Sequence, residues 1–232
     1  MPFVTACHNK ITLSNPPTKN KLLPNKTTGF IMPRYTQKMR EMMTESIRRD
    51  VCSAGIALLC EGGWEAFTTE NIAKRLNVSR GVLDNYFKDK NDILYAMARS
   101  SIFALCDKLE EIAANGKSAS DRLAAMALCI IDTFNQKRKY HRAIMENVPP
   151  PKAGDSSHPA IIGGMRRQAI VERVIRDGVA AGEFRDVDLS AASILFNGSV
   201  HHICMINDIG DISIDPVPTI QLFLRSIQTN HE

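Results

Sequence analysis

The stretch GWEAFTTENIAKRLNVSRGVLDNYFKDKNDIL, residues 63–94, decides the fold. It begins in Gly62-Gly63, a pair that ends a preceding helix by allowing a left-handed exit. Trp64 and Phe67 are placed to pack the turn that follows. Thr68 suits the N-cap of a short helix, because its hydroxyl accepts a bond from an orphan N–H near Asn71. Glu70 falls in the first turn, where the helix dipole favours an acid. Ile72, Ala73 and Leu76 face inward. Asn77 ends the helix, being the residue after glycine that best tolerates positive φ. Val78 plugs the gap, and Ser79 caps a third helix over 80–87 with Leu83 and Phe87 inward. The polar run Lys88-Asp89-Lys90-Asn91 leads into a longer helix near Asp92.

Working outward, the pattern stays helical. Over 36–60, Ile47, Val51, Ala54 and Leu58 fall at i, i+4, i+7 and i+11, with Glu45, Arg48 and Arg49 elsewhere on the surface. Downstream, 92–114 forms one helix broken at Asn115-Gly116. A helix over 118–134 carries Leu123, Met126, Ala127 and Ile130 on one stripe. Residues 139–147 form a short helix that stops before three prolines. The helix over 160–181 has Ile170, Val171 and Val174 at helical spacing and ends at Gly182. Asp188 caps 189–206, which is apolar on more than one face. Asp215-Pro216 opens a last helix, where Ile220, Phe223, Leu224 and Ile227 repeat at i, i+3, i+4 and i+7. No strand alternation interrupts this. The expected fold class is all-α: a three-helix helix-turn-helix domain over 34–98 and a helical bundle over 99–232.

Residues 1–33 contain no Asp or Glu and hold Lys10, Lys19, Lys21 and Lys26 without an apolar period. They read as a disordered arm: an inert tail, a basic arm touching DNA, or upstream sequence before a start at Met32. The first 98 residues carry 14 Lys/Arg against 9 Asp/Glu, a net +5, while the remaining 134 carry 15 against 16, a net −1. A basic first part on a neutral second part suits a polyanionic partner.

Composition narrows the function class. The chain has 232 residues, 44% of them hydrophobic, with only 14 aromatics (9 Phe, 4 Tyr, 1 Trp) beside 10 Met, which favours helix over sheet. No apolar run approaches the length of a membrane span, and no secretory signal is recognisable. Cys7, Cys52, Cys60, Cys106, Cys129 and Cys204 form no CxxC pair, so free thiols in a reducing cytoplasm are expected. His201-His202 is too isolated for zinc, so no metal and no cofactor are expected. Gly116-Lys117-Ser118 lacks the upstream glycine of a phosphate loop, since position 111 is Glu. Asn197-Gly198-Ser199 is a glycosylation acceptor without a secretory route. A helical enzyme would need a nucleophile with its base, paired carboxylates or a metal cluster. Asp107, Glu110 and Glu111 lie on a helix surface instead, and an enzyme is not expected.

Two short helices joined by a tight turn match a helix-turn-helix. The first crosses the phosphate backbone; the second enters the major groove and presents Arg80, Gly81, Val82, Asp84, Asn85 and Tyr86 to base edges. Residues 63–94 resemble the DNA-binding domain of TetR-family transcriptional regulators. The resemblance rests on Gly63, Trp64, Thr68, Ile72-Ala73, Val78-Ser79, Gly81, Phe87 and Lys90 at the family's spacing. It implies that Thr68, Thr69, Tyr86 and Lys90 contact phosphates and that Arg80, Val82 and Asn85 sit near bases. Gly81 would allow close approach, and Ser79 and Lys88 complete the candidate DNA-binding set. Two positions depart from the pattern. Asn77 replaces the usual turn glycine, and Asp84 replaces a Tyr that normally meets phosphate, leaving a carboxylate that either accepts from a cytosine amine or points away. The stretch 173–188 (RVIRDGVAAGEFRDVD) is similar in style to the choline-responsive BetI-like branch.

The resemblance further implies a homodimer on a double-stranded, pseudo-palindromic operator, with a small-molecule effector in the second domain. Repression relieved by that effector is the expected action; activation is the alternative. Cys129, Phe134, His141, Met145, Met165 and Gln168 are the candidate pocket residues, although ordinary core is the plainer reading of the Cys and Met positions. Ile194, His201, Ile220, Phe223, Leu224 and Ile227 are the candidate dimer interface.

Overall fold

A computed structural model of the chain describes residues 36–209 and 214–229. The arm over 1–33 and the start at Met32 lie outside them. The described residues form helices α1 (Gln37–Ala66), α2 (Thr69–Leu76), α3 (Arg80–Asp84), α4 (Lys90–Ala114), α5 (Ala119–Gln136), α6 (Arg138–Asn147), α7 (Pro159–Ala180), α8 (Leu189–Ile209) and α9 (Val217–Ile227). No named strand occurs among them; Phe184 and Gln228 form an isolated bridge.

Helix ends follow local chemistry. Thr36, Thr68, Asp89 and Ser118 each accept a backbone N–H at the start of a helix. Asp188 Oδ1 accepts from Ala191 N at 2.7 Å and Asp215 Oδ1 from Val217 N at 3.0 Å. Several boundaries differ from the sequence expectation, by one to three residues in most helices. The first helix runs past 60 to the glycine pair, where Gly63 leaves helical geometry at φ 68° and ψ −158° as expected, and a last turn to Ala66 follows the kink. α3 stops at Asp84 rather than 87, because Asn85 N and Tyr86 N bond three residues back, to Val82 O and Leu83 O. α4 begins at Lys90, two residues early, because Asp89 rather than a residue near Asp92 is its cap. α8 runs three residues beyond 206.

Apolar burial divides into two clusters. The first joins Val51, Leu59, Phe67, Ile72, Leu83, Phe87, Ile93, Leu94 and Met97, and recruits Tyr140 and Ala143 from α6. The second joins Leu109, Leu123, Met126, Val171, Val174, Phe184, Phe196 and Phe223 from α4, α5, α7, α8 and α9 with the turn after α7. α4 serves both: its first turns bury Ile93, Leu94 and Met97, and its last turns Cys106, Leu109 and Ala113. α6 is pinned to the first cluster by Tyr140 Oη, which donates to Met97 O at 3.0 Å. α4 and α7 touch closely at Gly163, where a Cβ would stand 2.0 Å from Ile102 Cγ2.

The terminal helices correct two expectations. α8 has a mean hydropathy of 1.3 over Leu189–Asp208, enough by length and composition to cross a membrane, contrary to the expectation that no segment reaches this. Its inner face of Ala192, Phe196, Val200, Ile203 and Cys204 is instead spent in the second cluster. On α9, Ile220, Phe223 and Ile227 are buried in the chain's own core with Leu224 packed beside them, so these four do not offer a dimer surface. The i, i+3, i+4, i+7 stripe marks the inward face; Leu222, 72% exposed, is the outward one.

Candidate nucleic-acid interface

α2 is short, and its ends depend on side chains. Thr68 Oγ1 accepts from Asn71 N at 3.1 Å, and Asn71 Nδ2 donates to Ala66 O at 2.9 Å. At the far end Asn77 takes φ 54°, ψ 43°, and Val78 N returns to Ala73 O at 3.0 Å. Asparagine therefore serves as the left-handed turn residue. The chain then reverses into α3, which is anchored by Leu83 and Phe87, both buried.

Arg80, Gly81, Asp84, Asn85 and Lys88 are exposed on the outer side, with Val82, Tyr86 and Lys90 half-buried. A Cβ added at Gly81 would meet nothing nearer than Ser79 Oγ at 4.0 Å, so a methyl there disturbs no neighbour within the chain. Several candidates have internal partners. Arg80 Nη1 reaches Glu70 Oε1 at 2.5 Å, which ties α3 to α2. Thr69 Oγ1 donates to Glu70 Oε2 at 3.2 Å. Ser79 holds the extended N-cap conformation, but its hydroxyl accepts no helix N–H, contrary to the capping role expected of it. Lys90 Nζ lies 3.5 Å from the Trp64 ring centroid and 5.2 Å from that of Phe67. Burial holds its amine below the usual lysine range.

Arg48, expected only at the surface, has a structural role. Its Nη2 donates to Tyr86 O at 2.7 Å and its guanidinium lies 4.9 Å from the Phe87 centroid. It thus fixes the turn after α3 to α1. No local pattern announces this, since the partners are 38 residues apart. Glu61 and Arg75 similarly join α1 to α2 through paired bonds of 2.7 Å.

The predicted pocket residues do not converge as a set. Phe134 and His141 stack with centroids 4.1 Å apart and planes 11° apart. They line a narrow cleft with Asn135, Arg138, Met145, Cys204, Met205 and Asp208. His141 Nε2 is buried without a hydrogen bond, and burial pushes its pKa down to about 4. Met145 and Met165 are 58% and 68% exposed, so neither is core and Met165 lines no wall of the cleft. Gln168 lies apart, donating to Glu172 and Ser190 at the start of α8. Cys129 packs against the second cluster. Among the candidate dimer residues, Ile194 and His201 remain exposed. Burial raises the thiols of Cys52 and Cys204 to about 11, and all five described cysteines are free.

Comparison with known proteins converges on the same segment. Residues 51–97 match the family model described as "Bacterial regulatory proteins, tetR family". The HTH-type transcriptional regulator BetI of Serratia proteamaculans (strain 568) is 37% identical over 81 residues, 34% of this chain and 41% of that protein. The chain thus spans about two-fifths of the curated relatives it matches. A transcriptional regulator of the TetR/AcrR family from Thermobifida fusca superposes with a TM-score of 0.60 at 21% identity, covering 81% of this chain and 99% of that one. The regulator FadR from Bacillus subtilis, solved in complex with stearoyl-CoA, superposes with a TM-score of 0.58 at 19% identity, covering 76% and 95%. At these identities the superpositions establish the all-helical fold. The helix-turn-helix built by α2 and α3 lies inside the 51–97 match, and over that segment the chain is similar to the tetR family of bacterial regulatory proteins.

Proposed function

We propose that the protein is a homodimeric transcriptional repressor, released from a pseudo-palindromic operator by a small molecule held in the bundle of α4 to α9. The observation that carries this reading is the outer side of α3, which keeps Arg80, Gly81, Asp84 and Asn85 in solvent above a fully anchored inner side. Exposed polar groups on a rigid, positioned helix are what base-edge recognition requires. Arg80, Val82 and Asn85 read bases. Thr68, Thr69, Tyr86 and Lys90 hold phosphates, with Ser79 and Lys88 at the margin.

Dimerisation is supported by Ile194 and Leu195 on α8, 58% and 64% exposed, and by Leu222 on α9, 72% exposed. Large apolar side chains left this exposed on two helices call for cover. Two-fold pairing then sets two copies of α3 against successive grooves. Release is supported by α4, whose residues lie in both hydrophobic clusters, and by Arg142, which joins α6 to Asp208 near the end of α8. An effector acts only if it binds the non-DNA-binding arrangement more tightly.

The test is a gel shift on the DNA upstream of the protein's own gene. Wild type is expected to retard it, and Arg80→Ala with Lys90→Ala to fail while keeping its helical circular dichroism. Undiminished retardation by the double variant would refute α3 as the reading helix.

A further inference from the structure

α7 carries Arg166, Arg167, Arg173 and Arg176, and the first three differ in their partners. Arg166 Nη2 pairs with Asp107 Oδ1 at 2.7 Å, and Arg173 pairs with Glu110, so two of them clamp α7 to α4 at the surface. Arg167 turns the other way. Its Nε is buried without a hydrogen-bond partner, and among the described residues it makes no ion pair. The groups that share electrostatics with it are Cys106 of α4 and Cys204 and His201 of α8. Asn197 Oδ1, one turn before His201 on α8, is also buried and unpartnered. Burial lowers the Arg167 pKa, yet a guanidinium keeps its proton in proteins and cannot escape by neutralising. Cys106 and Cys204 do not compensate it, since burial raises both thiols and keeps them protonated.

We propose that Arg167 is the anchor of the effector site and that the effector carries a carboxylate or phosphate group on an otherwise apolar body. A half-buried cation whose Nε is sealed off without a partner is costly until an anion arrives, and the planar guanidinium fork fits both oxyanions in a bidentate manner. The apolar body follows from the neighbours: Cys106 and Cys204, which flank Arg167, belong to the second cluster. A quaternary ammonium such as choline would be repelled from this position by the same charge, whatever the likeness of 173–188 to the BetI-like branch. This inference rests on the reading of the bundle as an effector domain, but its test does not need DNA.

Full-length protein is titrated calorimetrically with octanoate, octyl phosphate, octanol and choline, and the melting temperature is followed in parallel. At least one of the two anions is expected to bind at least about tenfold more tightly than octanol, with choline silent. Arg167→Met is expected to melt higher than wild type without ligand, because the unpaired charge is gone, and to lose the anion's advantage. Arg167→Lys, which keeps the charge without the fork, should retain part of it. Equal affinity for octanol and both anions, no anion binding to wild type, or an anion preference that survives Arg167→Met each overturns the proposal. So does a shift of the monomer–dimer midpoint in Arg167→Met without anion binding, which would assign the charge to a second copy of the chain. If the anion binds as expected but leaves a DNA complex intact, the site stands and the repressor reading fails.

Discussion

Lys90 can be asked directly whether it serves the fold or the DNA. Its Nζ sits 3.5 Å from the centroid of Trp64, and Trp64 is the only tryptophan in the chain. Lys90→Met keeps the aliphatic stem over the rings and removes only the charge. A cation above an aromatic face contributes about 0.5–2 kcal/mol depending on desolvation, and relief of the amine's desolvation offsets part of that. The expected loss is therefore about 1 kcal/mol in a urea melt read by Trp64 emission, with the folded-state emission itself altered. If the amine also meets phosphate when DNA is bound, the variant loses affinity and its salt dependence flattens. With one such contact per protomer, the slope of log K against log salt should fall by about 1.8 for a dimer. Anisotropy of a labelled operator across a salt series measures it. An unchanged melt with a flattened slope would refute the aromatic anchoring. A weakened melt with an unchanged slope would refute the phosphate contact.

Other predictions follow from single contacts. His141, held down to about 4 against an ordinary 6.5, is neutral when folded while the unfolded chain takes up a proton below 6.5. Its contribution is therefore complete above pH 6.5 and is lost as pH falls toward 4, by up to about 3 kcal/mol. His141→Phe should flatten that limb of a stability–pH curve, and an unchanged limb would contradict the burial. Glu183 caps α5 from 63 and 64 residues away, accepting from Ala119 N and Ser120 N at 2.7 and 2.8 Å. Glu183→Ala should cost about 1–3 kcal/mol in a denaturant melt while leaving DNA affinity, measured at saturating folded fraction, unaltered. Leu195→Glu with Leu222→Glu changes two exposed positions. It should give a folded monomer by analytical ultracentrifugation that no longer holds operator, whereas a persistent dimer would place the interface elsewhere.

Local chemistry made the helix-turn-helix legible. Thr68, Asn77, Leu83 and Phe87 each act through bonds or burial within a few residues of the position that announces them. Ends were less legible where two caps compete, as when Asp89 takes α4 from Asp92, or where a helix tightens into a turn, as after Asp84. Periodicity on α9 identified an apolar face correctly but assigned it to a partner, because a stripe does not say whose core it fills. Pocket and anchoring residues were hardest. Arg48 acts on a carbonyl 38 residues away, and Arg167 is conspicuous only because no carboxylate among the described residues pairs with it. Neither fact exists until the helices are packed.

The central claim is that paired copies of α3 read duplex DNA. Selection of binding sites from random duplexes by the full chain tests it without assuming an operator. The account predicts an enriched pseudo-palindrome whose half-sites lie about one helical turn, or a multiple of it, apart. It also predicts that Asn85→Ala, which alters an exposed side chain, relaxes the sequence at one position in each half-site while leaving their separation fixed. Enrichment of no sequence, or of an asymmetric one indifferent to Asn85→Ala and Arg80→Ala, would contradict it.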